Sequence, residues 1–236
     1  MRRILVTGAT GFIGSALVES LTKNNYEVWC TTRDEKYLNT DSGVINYISC
    51  DLTQLEESIG SFFATINCAA SLRNDFTWKR LSDDNCNSLE NLILNVECSK
   101  FIQLSTCSIF SKSSQTHAQP DPPNIYGLSK YVSEKILELY SHKFDSSIII
   151  RYPIVIGAKK KTQDFVKYIL DHAKKNNKIE LYAKGSFYRN VIHITEAISS
   201  ILSTLANNSY FSCEKINVGS SNSETVLDIC RFIVKE

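Results

Sequence analysis

The sequence predicts a doubly wound α/β fold, a parallel sheet covered by helices on both faces. Three observations carry this. Short strand-like runs alternate with stretches of helical periodicity. The strand-like runs are continuously apolar, as strands buried on both faces are, rather than alternating in polarity. Finally, three of the nine glycines fall within seven residues, between the first strand-like run and the first helical stretch.

Arg3-Ile4-Leu5-Val6-Thr7 is the first strand and ends at Gly8. Apolar residues then recur at Phe12, Ile13, Ala16, Leu17 and Leu21, which predicts a helix from Phe12 to Thr22. Asn24-Asn25 breaks it, and Glu27 to Thr32, Val44 to Ile48 and Phe62 to Ile66 read as the next three strands. A long helix is expected from Phe76 to Glu97, with Leu89, Leu92, Ile93 and Val96 on one face, followed by a fifth strand at Phe101 to Leu104. A polar loop holding Pro120, Pro122 and Pro123 leads to a helix from Tyr126 to His142 and a sixth strand at Ile148 to Ile150. Beyond Arg151 the rhythm loosens. The expectation there is a solvated Lys159-Lys160-Lys161 loop and a helix from Asp164 to Lys175. Short strands at Ile179 to Tyr182 and Asn190 to Ile192 follow, then a helix from Thr195 to Ala206, a strand at Ile216 to Val218 and a closing helix from Glu224 to Val234. Residues 1–155 are assigned to a nucleotide-binding domain that also carries the reactive groups. Residues 156–236 are assigned to a small C-terminal substrate cap interleaved with the sheet.

Composition narrows the class. The 236 residues are 43% hydrophobic, enough for a buried core and against disorder. With 26 basic and 25 acidic residues, no bulk charge points to nucleic acid or an anionic membrane surface. No apolar run approaches the length of a membrane span. Thr7, Gly8 and Thr10 interrupt the apolar start too early for a secretory leader, so the cytoplasm is expected. The eight cysteines form no CxxC pair and only four histidines accompany them; reduced, buried thiols are expected, and no metal site.

Gly8-Ala9-Thr10-Gly11-Phe12-Ile13-Gly14 has the spacing of a pyrophosphate cradle. Gly8 permits the tight turn, Gly11 lets the backbone approach a phosphate, and Gly14 allows close packing of helix on sheet. The helix start, with Thr10, Phe12 and Ile13, then offers backbone N–H groups to the phosphates. This makes the fold a Rossmann-type dinucleotide-binding domain. The second strand ends Thr31-Thr32-Arg33, and small hydroxyls with a guanidinium suit a 2′-phosphate, favouring NADP. Asp34 lies where a carboxylate could chelate ribose hydroxyls and keeps NAD open. Asp51-Leu52 follows the third strand, where Asp51 could meet an adenine amine or cap a helix beginning near Gln54.

Tyr126 and Lys130 stand four residues apart on one helix face. A lysine, a nicotinamide charge and a helix start would together lower the phenol from its usual value of about 10. Tyr131 and Lys135 repeat the spacing about 140° round the helix. The first pair is preferred because it begins the helix, after the proline loop. Ser105-Thr106-Cys107-Ser108 follows the fifth strand, at the sheet end where ligands bind in such folds.

These motifs, with Asn67-Cys68-Ala69-Ala70, Arg151-Tyr152-Pro153, Tyr188-Arg189-Asn190-Val191-Ile192-His193-Ile194 and Ile216-Asn217-Val218-Gly219, resemble the extended short-chain dehydrogenase/reductases. The closer resemblance is to the NAD(P)-dependent epimerase/dehydratase branch that acts on nucleotide sugars, and it spans essentially the whole chain. It implies that Tyr126 is the acid/base and that Lys130 holds the nicotinamide ribose, both also touching the cofactor. It puts the catalytic hydroxyl at Thr106, with Ser108 beside the substrate and Ala69 at the cofactor. It matches Asn85 to an asparagine near the active site and His193 to a structural position. Arg189 is either a ligand of the sugar-nucleotide diphosphate or a surface arginine after a turn. The dehydratases of the branch carry an Asp-Glu pair where this chain has Cys107 and Ser108, which disfavours dehydration. Relatives usually continue beyond the position of Glu236, so a short substrate lid is expected. The implied function is an NAD(P)-dependent oxidoreductase or epimerase of a nucleotide-linked sugar, by 4-keto reduction or C4 epimerisation, with a homodimer as the candidate assembly. The alternatives are a reductase of a non-sugar carbonyl and a non-catalytic NADP-binding regulator.

Overall fold

The computed structural model describes residues 1–38, 44–72, 77–111, 119–158, 165–176 and 179–235. Phe76, the Lys159-Lys160-Lys161 run and Asp164 lie outside them. Seven parallel strands form the central sheet: β1 (Arg3–Thr7), β2 (Glu27–Thr32), β3 (Ile45–Ser49), β4 (Ser61–Asn67), β5 (Glu97–Thr106), β6 (Ser146–Tyr152) and, late in the chain, β10 (Glu214–Asn217). Their order is β3-β2-β1-β4-β5-β6-β10. The chain winds outward from β1 to β3, returns to the other side of β1 at β4, and winds outward again. The order therefore reverses between β1 and β4, and a crevice opens there at the carboxyl ends of the strands. This is the Rossmann-type, doubly wound fold the sequence predicts.

Alternate residues of each strand feed opposite faces. Ile4, Val6, Ile148 and Ile150 pack with Leu17, Val18 and Leu21 of α1 (Phe12–Lys23) and Ile198, Ile201 and Leu205 of α6 (Ile194–Ala206). Leu5, Phe101 and Ile149 pack on the other face with Leu89, Leu92 and Ile93 of α3 (Ser88–Asn95) and Leu137 of α4 (Ile125–Leu139). Burial of each such Leu or Ile contributes roughly 1.5–3 kcal/mol.

Several sequence expectations are corrected. The long helix is broken into α2 (Trp78–Ser82), a wider π-type turn at Asp83–Asn87 and α3, which stops at Asn95 because Glu97 already belongs to β5. That strand is ten residues long; Lys100 hid its first part, since it is buried with its polar end satisfied. The Lys100 ammonium donates to the carbonyls of Thr204, Leu205 and Asn207 at the end of α6. No helix begins near Gln54; Leu52–Gln54 is one 3-10 turn. Ile179 to Tyr182 form no strand, because Ile179 and Leu181 serve as anchors in a small cluster with Ile169, Val226 and Cys230. This cluster joins α5 (Phe165–Asn176) to α7 (Val226–Lys235). Three short strands were not foreseen as such: β7 (Ile154–Ile156), which pairs with the expected strand, now β9 (Val191–His193), and β8 (Tyr188–Arg189) and β11 (Glu224–Thr225), which pair with each other, β11 replacing the expected helix start.

Candidate active site

The crevice between β1 and β4 is closed at its base by the glycine turn. Gly8 has φ +62°, and a Cβ there would lie 2.7 Å from the Ala69 amide nitrogen. A Cβ on Gly14 would lie 2.2 Å from the Gly8 carbonyl oxygen, so helix and turn touch backbone to backbone. Gly11 N donates to Gly8 O at 2.9 Å, and Gly11 caps α1 without a side chain. The two loops are tied by a buried polar chain. Thr7 Oγ1 donates to Asn67 Oδ1, Asn67 Nδ2 donates to Gln103 Oε1 at 2.8 Å, and the Ala69 amide donates to Thr7 Oγ1 at 3.3 Å.

Above this base lies a groove of about 760 Å³, of the size that takes a nucleotide cofactor. Gly8, Thr10, Gly11 and Ala69 line one stretch of it, and Arg33, Asp51 and Leu52 another. Phe12 instead borders an apolar groove beside α1 and β3, and Gly14 is buried beneath the turn. The glycines leave room where a Cβ would intrude, so these residues fit a dinucleotide; Ile13, in the first turn of α1, stands half-buried beside them.

At the far end, Asp34 is already engaged. Its carboxylate accepts from Lys36 N at 3.2 Å and pairs with the Lys36 ammonium, which holds it below the usual carboxylate range. Arg33 is exposed on the groove wall. Asp51 lines the groove and caps the Leu52–Gln54 turn, accepting from Thr53 N at 3.0 Å and Thr53 Oγ1 at 2.8 Å. Those bonds, the backbone one foremost, lower its pKa.

The reactive groups converge from β5 and α4. Thr106 ends β5, its Oγ1 accepts from Ser108 N at 3.1 Å, and its side chain is hydrogen-bonded to the Tyr126 phenol. Asn124 caps α4 by accepting from Gly127 N at 2.8 Å. A Cβ on Gly127 would lie 2.3 Å from the Ser108 carbonyl oxygen. That close approach lets the first turn of α4 press against the turn after Thr106. Lys130 is buried, 3% exposed, and interacts electrostatically with Cys68, itself a residue of the groove wall. The Tyr131 and Lys135 pair faces outward instead, Lys135 reaching Glu138 at 2.7 Å.

In the chain by itself, burial pushes Tyr126 up to about 12, outweighing the hydrogen bond from Thr106. Burial also pulls Lys130 down to about 8, against the opposing influence of Glu134, Cys86 and Cys68. The π-type turn carries Asn85 beside α4: its Oδ1 accepts from Ser71 N at 2.7 Å, and its Nδ2 donates to Ser129 Oγ at 2.9 Å. Ser129 Oγ in turn donates to Tyr126 O at 2.8 Å. Ser108 is exposed at the mouth of this cluster. Arg189 sits half-buried on β8 and donates to Tyr188 O at 3.1 Å. His193 caps α6 with Glu196, the structural position expected of it.

Three groups escaped the sequence reading. Asn190 ties β8 to the loop before β11 by accepting from Ser220 N at 2.9 Å and donating to Ser220 O at 2.8 Å. Glu134 and Arg151 form a buried bidentate pair, Arg151 Nε to Glu134 Oε1 at 3.0 Å and Nη2 to Oε2 at 2.6 Å. The spacing of Glu134, one helical turn beyond Lys130, was the available signal. All eight cysteines are free; Cys30, Cys86 and Cys230 are buried and the others half-buried. Among the described residues, no cluster could hold a metal ion and no helix is long and apolar enough to cross a membrane.

A Rossmann-type sheet with a glycine cradle, a strand-end hydroxyl and a tyrosine–lysine helix defines the class as a nucleotide-dependent dehydrogenase of the extended short-chain type. The chain belongs to the NAD dependent epimerase/dehydratase family, whose model matches residues 4–219. It is 27% identical to the CDP-abequose synthase of Salmonella typhimurium, over 86% of this chain and 70% of the relative. It is 23% identical to a dTDP-4-dehydro-6-deoxy-D-allose reductase of Streptomyces, over 99% of this chain and 80% of that one. The fold matches that of a UDP-glucuronic acid 4-epimerase from Bacillus cereus, solved with UDP-glucuronic acid and NAD, with a TM-score of 0.83. That match has 23% identity and covers 99% of this chain and 82% of the other.

Proposed function

We propose that this chain is an NAD(P)-dependent oxidoreductase or epimerase acting on a nucleotide-linked sugar, by 4-keto reduction or C4 epimerisation. The observation that carries the proposal is the packing of the first turn of α4 against the turn after β5, where Gly127 meets the Ser108 carbonyl and so brings Tyr126 and the buried Lys130 to the strand end that carries Thr106. A bound nicotinamide would supply or take the hydride. Tyr126 Oη gives or takes the proton at the sugar oxygen, Thr106 Oγ1 orients that oxygen, and Lys130 Nζ holds the ribose and stabilises the phenolate. A phenol pushed up to about 12 is protonated at neutral pH and so is set to donate, the role a ketone reduction needs. The relatives that act on nucleotide-linked 4-keto sugars support the substrate class. Ser108 and Arg189 are assigned to the substrate, and residues 156–236 to the part that covers it. Free thiols throughout support a cytoplasmic setting; a homodimer is proposed on the resemblance alone.

The test is turnover. NADPH or NADH is incubated with a panel of 4-keto and ordinary nucleotide sugars, following cofactor absorbance and product NMR. Stoichiometric loss of reduced cofactor identifies reduction; product without net loss identifies epimerisation. No turnover on any nucleotide sugar sinks the reading and leaves the non-sugar carbonyl or the regulator.

NADP is the proposed preference. The Asp34 carboxylate that would repel a 2′-phosphate is tied to Lys36, while Arg33 faces the groove. A charge-assisted hydrogen bond of about 1.5–3 kcal/mol means that Arg33→Ala weakens NADPH binding roughly tenfold to a hundredfold and leaves NADH unchanged. Titration calorimetry with both cofactors reads this, and an equal change for the two contradicts the preference.

A further inference from the structure

We propose that the Glu134–Arg151 pair is a positioning device for the reactive groups: it straps the helix bearing Tyr126 and Lys130 to the strand ends bearing Thr106, and its carboxylate supplies the negative charge that keeps the Lys130 ammonium charged. The inference rests on the proposed roles of Tyr126 and Lys130.

The strap is visible in the contacts. Glu134 leaves α4 one turn beyond Lys130 and receives three hydrogen bonds from the sheet: two from Arg151 on β6 and one from Ser105 Oγ on β5, at 2.5 Å. Ser105 and Arg151 are paired neighbours across the β5–β6 register, as are the next residues, Thr106 and Tyr152. One carboxylate therefore fixes α4 against two strands, one residue from the hydroxyl that meets Tyr126. The side chains of Arg151 and Glu134 are only 8% and 1% exposed. Burying two charges costs several kcal/mol per ion, and an apolar pair of similar volume would hold the helix as well. The charges therefore call for a reason beyond packing.

Lys130 provides that reason. It is a buried cation, and burial alone favours its neutral form. The titratable groups that act on it are Glu134 on its own helix, Cys86 on the π-type turn and Cys68 after β4. Both thiols are themselves pushed up by burial and are protonated at neutral pH. Glu134 is the carboxylate of this set, and it is the largest of the influences that favour the ammonium. Arg151 balances the charge of Glu134, so the strap carries no net charge, and Glu134 stands one helical turn from Lys130.

The experiment follows Lys130 directly, without turnover. Side-chain Cε and Nζ resonances of isotopically labelled lysine are titrated in the intact, cofactor-free protein, with the Lys130 signal assigned by its loss in Lys130→Met. The wild-type midpoint is expected near 8. In Glu134→Gln, which keeps the shape but leaves Arg151 unbalanced, the midpoint falls by about one unit or more. In the double variant Glu134→Gln with Arg151→Met it falls less, because both charges are gone. The alkaline limb of kcat/KM moves with the midpoint in each variant. The double variant leaves neither half of the pair unbalanced and decides the matter if Glu134→Gln fails to fold. A folded variant with lowered thermal stability but an unmoved Lys130 midpoint reduces the pair to a structural clamp and overturns the proposal. Failure of the sugar panel leaves this titration readable, so the two readings fail separately.

Discussion

Tyr126→Phe lowers turnover by about 10²–10⁴-fold while cofactor affinity stays within a few-fold of wild type. Phenylalanine fills the same space and removes one atom, the Oη hydrogen-bonded to Thr106. The groove that would take the cofactor is built on the β1 turn and the strand ends, not on this phenol. The loss should therefore appear in the proton-transfer step. Burial holds the wild-type phenol near 12, so the proton is present throughout the neutral range; the difficulty is the phenolate left behind after it is donated. In the proposed mechanism Thr106 would stabilise that phenolate by hydrogen bonding and Lys130 by charge. Lys130, pulled down to about 8, is charged below that pH and neutral above it. Wild-type kcat/KM should fall as pH rises through this value, and Tyr126→Phe should leave a low, flat residual. Titration calorimetry for the cofactor and steady-state kinetics for turnover separate the two effects. Undiminished turnover in Tyr126→Phe removes the acid/base assignment.

What was legible in the sequence follows from where the chemistry is local. Strands buried on both faces are written as runs such as Ile148-Ile149-Ile150, and the glycine cradle is written as spacing, because both depend on residues adjacent in the chain. The reading faltered where a polar residue is buried by virtue of a distant partner. Lys100 made β5 look like a short strand, since its carbonyl partners lie more than a hundred residues later, at the end of α6. Glu134 resembled an ordinary solvent-facing helix residue, because its partner Arg151 is brought beside it only by the sheet. The break at Asp83–Asn87 has the same origin: the turn widens where Asn85 bonds to Ser71 and Ser129, a tertiary contact invisible to periodicity. Ile179 and Leu181 misled in the other direction, apolar alternation serving a small cluster rather than a strand.

Gly127→Ala is expected to cost nearly as much as losing a reactive group, although its side chain would touch neither cofactor nor substrate. A Cβ at this position would lie 2.3 Å from the Ser108 carbonyl oxygen, about 1 Å short of ordinary contact. Both sides of the clash are backbone, so neither a rotamer nor a flexible tip can relieve it. Gly127 adjoins Tyr126, and Ser108 begins two residues after Thr106, so the displacement falls on the interval between phenol and hydroxyl. A misplacement of about 1 Å is worth on the order of 10²-fold in rate, and overpacking of this kind costs about 1–3 kcal/mol of stability. The Asn124 cap adds no clash of its own, since its Oδ1 would sit in ordinary contact, 3.5 Å from the added carbon. Cofactor affinity should hold, since the glycine turn at Gly8 lies on another strand. Leu128→Ala, at an exposed position on the same turn, is the control and should leave turnover unchanged. If Gly127→Ala folds and turns over like wild type, the Thr106–Tyr126 interval does not limit the chemistry. The site would then tolerate a looser helix than this packing implies.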